Sequence, residues 1–428
     1  MTSTQITECR ICHNTGLITI LDFGEHALSC RFPAANEADP IAIPLVLVKC
    51  DDTKDRGNCG LLQLSHTVSA DELYLQHYGY RSGLNDTMIN HLHGLVAEIE
   101  KKVCLWNDDI VLDIGSNDCT LLRAYKFGNK VGIDPTGTQF KQYYPDDVCL
   151  MPTFFSADAF RNKFGEQKAK VVTTISMFYD LSDPVAFAAD IKSILASDGI
   201  WVTEQSYCVT MLENNSFDTI CHEHLEYYTL KQIQYIASKV GLRIIDVSLN
   251  SCNGGSFKVT LAQNDSNFVV SDNVKMLMDK EEKLALHTLV PLNDFIERCE
   301  KMNLELSNFL NGEKFMNKTI YLYSASTKGN TLLQYYDLDN ILITAAAERN
   351  PEKFCRRTPG TNIPIVPESV MREAKPDYLL VLAWHFKGEF LKRERKYMEN
   401  GGSIIFPLPQ LEIYGYNDNC TMCPIYED

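Results

Sequence analysis

The chain of 428 residues carries a formal net charge of −16, 45% hydrophobic residues and 15 cysteines, a length that suits two to four domains, each burying its own core. This acidity excludes nonspecific binding to DNA, RNA or anionic membranes through overall electrostatics, because such contacts need a basic surface. No run is long enough to span a bilayer, and Met1 to Glu8 has neither the basic nor the apolar region of a signal peptide, so a cytoplasmic protein with reduced cysteines is expected.

The N-terminus reads Cys9-Arg-Ile-Cys12-His13, and a second pair, Cys50 and Cys59, brackets a polar insert. A C-x2-C knuckle brings two thiolates to tetrahedral spacing on one metal, and the distant pair completes a closed, structural four-thiolate zinc site. Eight residues separate Cys50 from Cys59, more than is usual, so the loop between them must bulge. His13 or Cys30 is an alternative ligand. The zinc-binding module is taken as residues 1–68. After a short strand at Leu61-Leu-Gln-Leu64, the segment Ala70 to Lys102 reads as helix, broken by Tyr78-Gly-Tyr-Arg-Ser-Gly83. Phenols, a guanidinium and a serine among glycines suit a ligand-contacting loop, and equally a plain surface loop.

From Asp109 the pattern changes to strand, glycine turn, helix. Ile110-Val-Leu-Asp-Ile-Gly-Ser-Asn-Asp118 is a buried strand running into a turn with Gly115, and Asp134 ends the next strand 21 residues after Asp113. An acid at that position reads ribose hydroxyls in nucleoside-binding α/β folds. The alternation continues through Val171 to Ile175, Pro184 to Ala196 and Gly199 to Glu204, which implies a parallel sheet with its ligand at the carboxyl ends of the strands. A dinucleotide cradle wants G-x-G-x-x-G, and only Gly115 is present here. The turn fits better the looser one of S-adenosylmethionine-dependent methyltransferases, with Asp113 and Gly115 lining the methionine moiety and Asp134 the ribose.

The stretch Ser216-Phe-Asp-Thr-Ile-Cys-His-Glu-His-Leu-Glu-Tyr-Tyr-Thr229 follows. It sets His222 and His224 around Glu223, with Tyr227 and Tyr228 behind. A run this polar is not expected to form a core strand, since each polar atom would need a buried partner. Taken alone, it suits a proton-transfer site, a metal site or a solvated loop. Residues 69–270 form the expected catalytic domain and 271–312 a helical linker. A second α/β unit, 313–428, starts at Lys318-Thr-Ile-Tyr-Leu-Tyr323, turns through Ser324-Ala-Ser-Thr-Lys-Gly-Asn330 and continues in strands at Asn340 to Thr344, Asp377 to Ala383 and Ser403 to Phe406. A Ser/Lys/Gly turn at a helix N-terminus suits an anion, with Arg356 and Arg357 on the same lobe. Cys420 and Cys423 repeat the knuckle spacing without a second pair nearby.

In this order of parts the chain resembles the three-domain, S-adenosylmethionine-dependent C-methyltransferases that act on nucleotide-linked deoxysugars. The shared motifs run nearly end to end: the cysteine knuckles with Cys59-Gly-Leu-Leu-Gln-Leu64, Tyr80-Arg-Ser-Gly83, Leu112-Asp-Ile-Gly-Ser-Asn-Asp118, Ser176-Met-Phe-Tyr-Asp180, Phe217-Asp-Thr-Ile220 and His222-Glu-His224. They continue through Gly254-Gly-Ser256, Lys328-Gly-Asn330, Thr358-Pro-Gly-Thr361 and Leu382-Ala-Trp384. The resemblance implies an α/β protein with an N-terminal zinc-binding module, a central class I methyltransferase Rossmann-like parallel sheet and a second Rossmann-like domain. It also implies methyl transfer beside the ketone of a nucleotide-linked 4-keto-6-deoxyhexose. His224 would be the base, Glu223 would orient or charge it, and His222 or Tyr80 would donate to the enolate. Asp113, Gly115, Ser116, Asn117, Asp134 and Met177 would hold the cofactor. Tyr78, Arg81, Ser82, Tyr227, Asn253, Lys328, Asn330 and Arg356 would face the substrate, and Cys9, Cys12, Cys50 and Cys59 the zinc. The chain departs from the family pattern at Cys221, where tyrosine is common, at Asn253, where histidine is frequent, and at Cys119, which replaces a glycine. Two other readings compete: a metal-dependent hydrolase using His222 and His224, and an inactive binding protein that keeps the fold.

Overall fold

The computed structural model describes residues 3–74, 80–312, 317–416 and 422–424. At the N-terminus, β1 (Ser3–Gln5) pairs with β5 (His66–Val68), while β2 (Leu17–Ala27), β3 (Ala42–Cys50) and β4 (Leu62–Leu64) form an antiparallel sheet. The central sheet comprises β6 (Ile110–Ile114), β7 (Asn129–Ile133), β8 (Val148–Met151), β9 (Ala169–Ile175) and β10 (Leu195–Ser206), followed, after the two-residue β11 (Glu226–Tyr227), by β12 (Leu242–Asn250) and β13 (Ser256–Gln263). Its order is β12-β13-β10-β9-β6-β7-β8, and only β13 runs against its neighbours. This is the class I methyltransferase sheet that the sequence led us to expect. The chain leaves β6 toward β7 and β8 on one side and reaches β9 on the other, so a crevice opens at the carboxyl ends of β6 and β9.

Strand β6 shows why the sheet is sandwiched. Ile110, Leu112 and Ile114 pack into one apolar cluster with Phe160, Ile191 and Ile233, whereas Val111 packs into another with Leu92, Leu95 and Ile99. Alternate side chains thus meet helices on opposite faces, and a near-continuous apolar run is what such a strand requires.

Helices at Asp272–Lys283 and Val290–Leu310 lead to the second parallel sheet. It is built from β14 (Ile320–Tyr323), β15 (Ala345–Glu348), β16 (Ile365–Pro367), β17 (Tyr378–Leu380) and β18 (Ser403–Phe406), with antiparallel β19 (Glu412–Tyr416) and β20 (Met422–Pro424), in the order β16-β15-β14-β17-β18-β19-β20. The switch point lies between β14 and β17. The strand expected at Asn340 to Thr344 is displaced to Ala345–Glu348. Alanine has low β propensity, but small residues fit between two parallel neighbours, and Ala346 is fully buried.

Strand β11 lies inside the polar stretch and adds to the edge of the N-terminal sheet through Glu226↔Gln63 and Tyr227↔Leu62. Against expectation, the end of that run is therefore a buried strand. The N-terminal module covers it and supplies the partners that water would otherwise provide. One core joins Leu47 and Leu62 of this module to Phe217 and Tyr227, to Phe295 and Met302 of the long helix, and to Leu332 and Leu380 of the last domain. Among the described residues, no helix is long and apolar enough to cross a membrane.

Candidate active site

The sulfurs of Cys9, Cys12, Cys50 and Cys59 lie within 4.8 Å of one another, with Cys9 and Cys59 at 3.4 Å and Cys12 and Cys50 at 3.4 Å. His13, at φ 58°, closes the knuckle by donating its amide to the Cys9 carbonyl at 2.9 Å. Residues 51–58 bulge as expected, and the Asn58 amide group spans the bulge to the Asp51 carbonyl at 2.7 Å. Neither alternative ligand takes part: the His13 ring pairs with Glu8 at 2.8 Å in solvent, and Cys30 is buried against Glu223. Four thiolates this close repel one another unless a cation lies between them, and four sulfurs with no open position suit structural zinc.

The turn after β6 is enclosed by its own chain. Gly115 has φ 75°, and a Cβ there would lie 3.1 Å from Cγ of Met177, so only glycine lets Met177 approach. The Asn117 side chain accepts from the Ser82 amide at 3.0 Å and donates to the Tyr80 carbonyl at 3.1 Å. Asp118 accepts from the Gly83 amide at 2.9 Å. Residues 80–83 are thereby strapped onto the turn, with Arg81 3.5 Å from Asp118 and 4.4 Å above the Tyr143 ring. Asp134 accepts from the Asn117 amide at 2.7 Å and from the Thr136 amide at 2.7 Å, so the acid expected at the ribose also locks the turn. Ser116 meets the Tyr144 hydroxyl at 2.7 Å. Behind them Asp113 accepts from the Thr173 hydroxyl at 2.6 Å, and burial raises its carboxyl to about 7. Tyr78 lies outside the described residues. Tyr80 is half exposed at the edge.

In the polar stretch the three central side chains diverge. Nδ1 of His224 sits 2.8 Å from the Thr219 carbonyl. A carbonyl only accepts, so Nδ1 carries the proton and Nε2 keeps its lone pair. Enclosure, with the nearby Lys328 charge, lowers this imidazole to about 3. Its ring lies 4.3 Å from that of Tyr179 and borders a small cavity that also touches Ser206, Met211 and Tyr227. Glu223 does not orient His224. Its carboxylate accepts from the Ser29 hydroxyl at 3.2 Å, beside Cys30 and Cys221, and burial raises it. His222 donates from Nε2 to the Ile43 carbonyl at 3.0 Å and is lowered to about 4 by burial. The expected charging of His224 by Glu223 is thus replaced by a neutral carbonyl, because the turn sends neighbouring side chains toward different domains. Among the described residues, no group of three metal-binding side chains includes His222 or His224, so the hydrolase reading lacks its centre. The Tyr227 hydroxyl is buried without a hydrogen-bond partner among the described residues.

The last domain closes the other side. Trp384 donates its indole N–H to Asp218 at 3.2 Å, and Lys328 donates to the Asn253 carbonyl at 3.3 Å. Asn253 has φ 52°, and a Cβ on Gly254 would meet the Trp384 ring at 2.9 Å. Lys328 and Asn253 therefore meet, whereas Arg81 and Ser82 lie against the turn after β6. Asn330 and Arg356 sit farther out, donating to the carbonyls of Ser29 at 2.7 Å and Phe32 at 2.8 Å. They stitch the last domain to the N-terminal module.

Comparison with known proteins agrees with this architecture. Residues 251–409 match the family model of the C-methyltransferase C-terminal domain, and residues 9–74 match that of a zinc binding domain. The chain has the domain make-up of a C-methyltransferase. It is 28% identical over 416 residues to C-methyltransferase NovU of Streptomyces niveus, covering 95% of this chain and 96% of that protein. Among solved structures, magnesium protoporphyrin IX methyltransferase (ChlM) from Synechocystis PCC 6803 with bound SAH matches with TM-score 0.33 and 15% identity, over 42% of this chain and 88% of that one. CcbJ methyltransferase from Streptomyces caelestis matches with TM-score 0.32 and 9% identity, over 40% and 89%.

The turn after β6 lies at the carboxyl end of the central sheet, and the His224 ring borders the small cavity beside Tyr179. Nothing in the residue pattern marks Thr219 as the group that sets the His224 tautomer, because it acts through its backbone. Trp384 stood in a shared motif with no role attached. His91, in the helix Asp86–Lys102, lies beside Cys252 and pairs with buried Glu204, and these two partners raise it to about 10.

Proposed function

We propose that this C-methyltransferase acts on the carbon beside the ketone of a nucleotide-linked 4-keto-6-deoxyhexose. The observation that carries the reading is the His224 tautomer: a neutral imidazole, its Nδ1–H held by a carbonyl at 2.8 Å, keeps Nε2 unprotonated, and its ring borders a small cavity. A proton beside a ketone is removed by such a base, whereas O- or N-methylation needs no carbon acid. Bound S-adenosylmethionine supplies an electrophilic methyl group. Around it, Asp113, Gly115, Ser116, Asn117, Asp134 and Met177 hold the donor. His224 takes the α-proton on Nε2 and the C–H electron pair becomes the enolate; bound S-adenosylmethionine would supply the methyl to its carbon, the S–CH3 pair returning to sulfur as S-adenosylhomocysteine leaves. Tyr80 is the candidate hydrogen-bond donor to the enolate oxygen, and Arg81, Ser82, Tyr227 and Asn253 shape the sugar pocket. The capped helix start at Ser326, which accepts from the Gly329 amide at 3.0 Å, suits the nucleotide phosphates. The near full-length similarity to C-methyltransferase NovU supports carbon as the acceptor.

The test is mass spectrometry of thymidine-diphospho-4-keto-6-deoxyglucose incubated with the full chain and S-adenosylmethionine, with α-proton exchange followed in heavy water. Gain of one methyl on the sugar, with exchange, is expected. A protein that binds neither cofactor nor sugar nucleotide by calorimetry would be the inactive binding protein instead.

A further inference from the structure

We infer that Lys328 is a catalytic residue, the cation that stabilises the enolate oxygen during proton removal; the inference rests on the function proposed above. Three observations converge on it. The dipeptide Asp218-Thr219 serves both sides of the cleft: Thr219 holds His224 through its carbonyl at 2.8 Å, and Asp218 holds the Trp384 indole at 3.2 Å. One rigid backbone unit therefore fixes the base and the last domain together. Lys328 lies in the first turn of the helix Thr327–Tyr335 that follows β14 and donates to the carbonyl of Asn253 at 3.3 Å. Gly254, the next residue, lies against Trp384. The indole and the imidazole are thus joined through Asp218-Thr219, and the Lys328 charge is felt at both Asp218 and His224.

The second observation is what Lys328 lacks. Among the described residues, no carboxylate forms an ion pair with it, although it is half-buried. Its charge is felt by His224, His385 and Cys221, all uncharged groups here, and by Asp218, whose carboxyl burial raises. A half-buried cation whose other neighbours are uncharged favours whichever anion forms beside it. The third is chemical. When Nε2 of His224 takes the proton, the C–H pair becomes the carbon–carbon double bond and the ketone oxygen gains the negative charge. A preorganised cation aimed at that oxygen acts where charge develops.

A phosphate seat is the competing role, and the two separate kinetically. An enolate exists only on the reaction path, so its stabiliser alters turnover, whereas a phosphate contact alters affinity. The experiment uses the full zinc-loaded chain with bound S-adenosylhomocysteine and follows α-deuterium wash-out from thymidine-diphospho-4-keto-6-deoxyglucose, with thymidine diphosphate affinity measured in parallel. Lys328→Met is expected to slow exchange at saturating sugar by about 10²–10³-fold, the range for losing one oxyanion donor, with little change in thymidine diphosphate affinity. Unchanged exchange at saturation, with or without weaker thymidine diphosphate binding, overturns the inference. Should Lys328→Met lose cofactor binding, Lys328→Arg carries the test. It keeps a cation in the cleft and should retain measurable exchange, and a folded Lys328→Arg without exchange also overturns the inference. A wild-type protein that binds this sugar but exchanges nothing defeats the function reading itself, which no variant of Lys328 by itself can do.

Discussion

The two parallel sheets use one scaffold for different ends. In each, the acid that closes the second strand accepts an amide from the turn after the first: Asp134 takes the Asn117 amide at 2.7 Å, and Glu348 takes the Ala325 amide at 2.9 Å. They differ in what overlies the turn. Residues 80–83 are strapped across the central turn, where Gly115 lets Met177 approach closely. The turn of the last domain is a capped helix start whose lysine reaches into the cleft. The backbone makes a crevice in both places, and side chains arriving from elsewhere in the chain decide what each crevice can hold.

The largest effect should come from removing what both sheets share. Chelation of the zinc, or Cys9→Ser, should unfold the N-terminal module, since structural zinc sites contribute on the order of 10 kcal/mol to folding. Because β11, Glu223, Asn330 and Arg356 all lean on that module, both ligand sites should fail together, as read by metal content and by calorimetry with each ligand. Survival of either site alone would show that the sheets are more independent than their shared core implies.

His224→Ala tests the space between the sheets. It should abolish α-proton exchange and methyl transfer while S-adenosylmethionine and thymidine diphosphate still bind. Because this imidazole is lowered to about 3, its base form is already complete above pH 5, so exchange should show no acid limb between pH 5 and 8. A limb near pH 7 would mean that a charged partner acts on the base after all.

Gly115→Ala separates the sheets. The positive φ and the 3.1 Å approach to Met177 should weaken cofactor binding about tenfold, the cost of roughly 1–3 kcal/mol of local strain, with thymidine diphosphate affinity unchanged. The smallest effect should be in pH. The Asp113 carboxyl is raised to about 7 by burial, so it gains its charge as pH rises through neutrality, and affinity for the sulfonium cofactor should rise several-fold between about pH 6 and 8. Asp113→Asn should flatten that rise in calorimetry.

Local chemistry made much of this legible in the sequence. The C-x2-C spacing at Cys9 announces a metal knuckle, the apolar run of β6 a strand buried on both faces, and Gly115 a turn that a side chain would block. The distant Cys50 and Cys59 pair was readable because a tetrahedral ion needs four donors. The string His222-Glu-His224 announces chemistry but not its division of labour. Adjacent residues in a turn point to different neighbours, and only the fold reveals that those neighbours are Ile43, Ser29 and Thr219. A carbonyl has no side-chain signature, so the group that sets the His224 tautomer was invisible before folding. The same holds for burial: a run rich in His, Glu and Tyr reads as solvated until a separate sheet covers it and supplies hydrogen bonds across 179 residues from Ile43 to His222. The sequence by itself pointed to the four clustered cysteines, the two α/β sheets and the candidate base, because these depend on residue type and short spacing. Tertiary structure alone decided which histidine keeps a free nitrogen and which lysine faces it, because both depend on contacts between segments far apart in the chain.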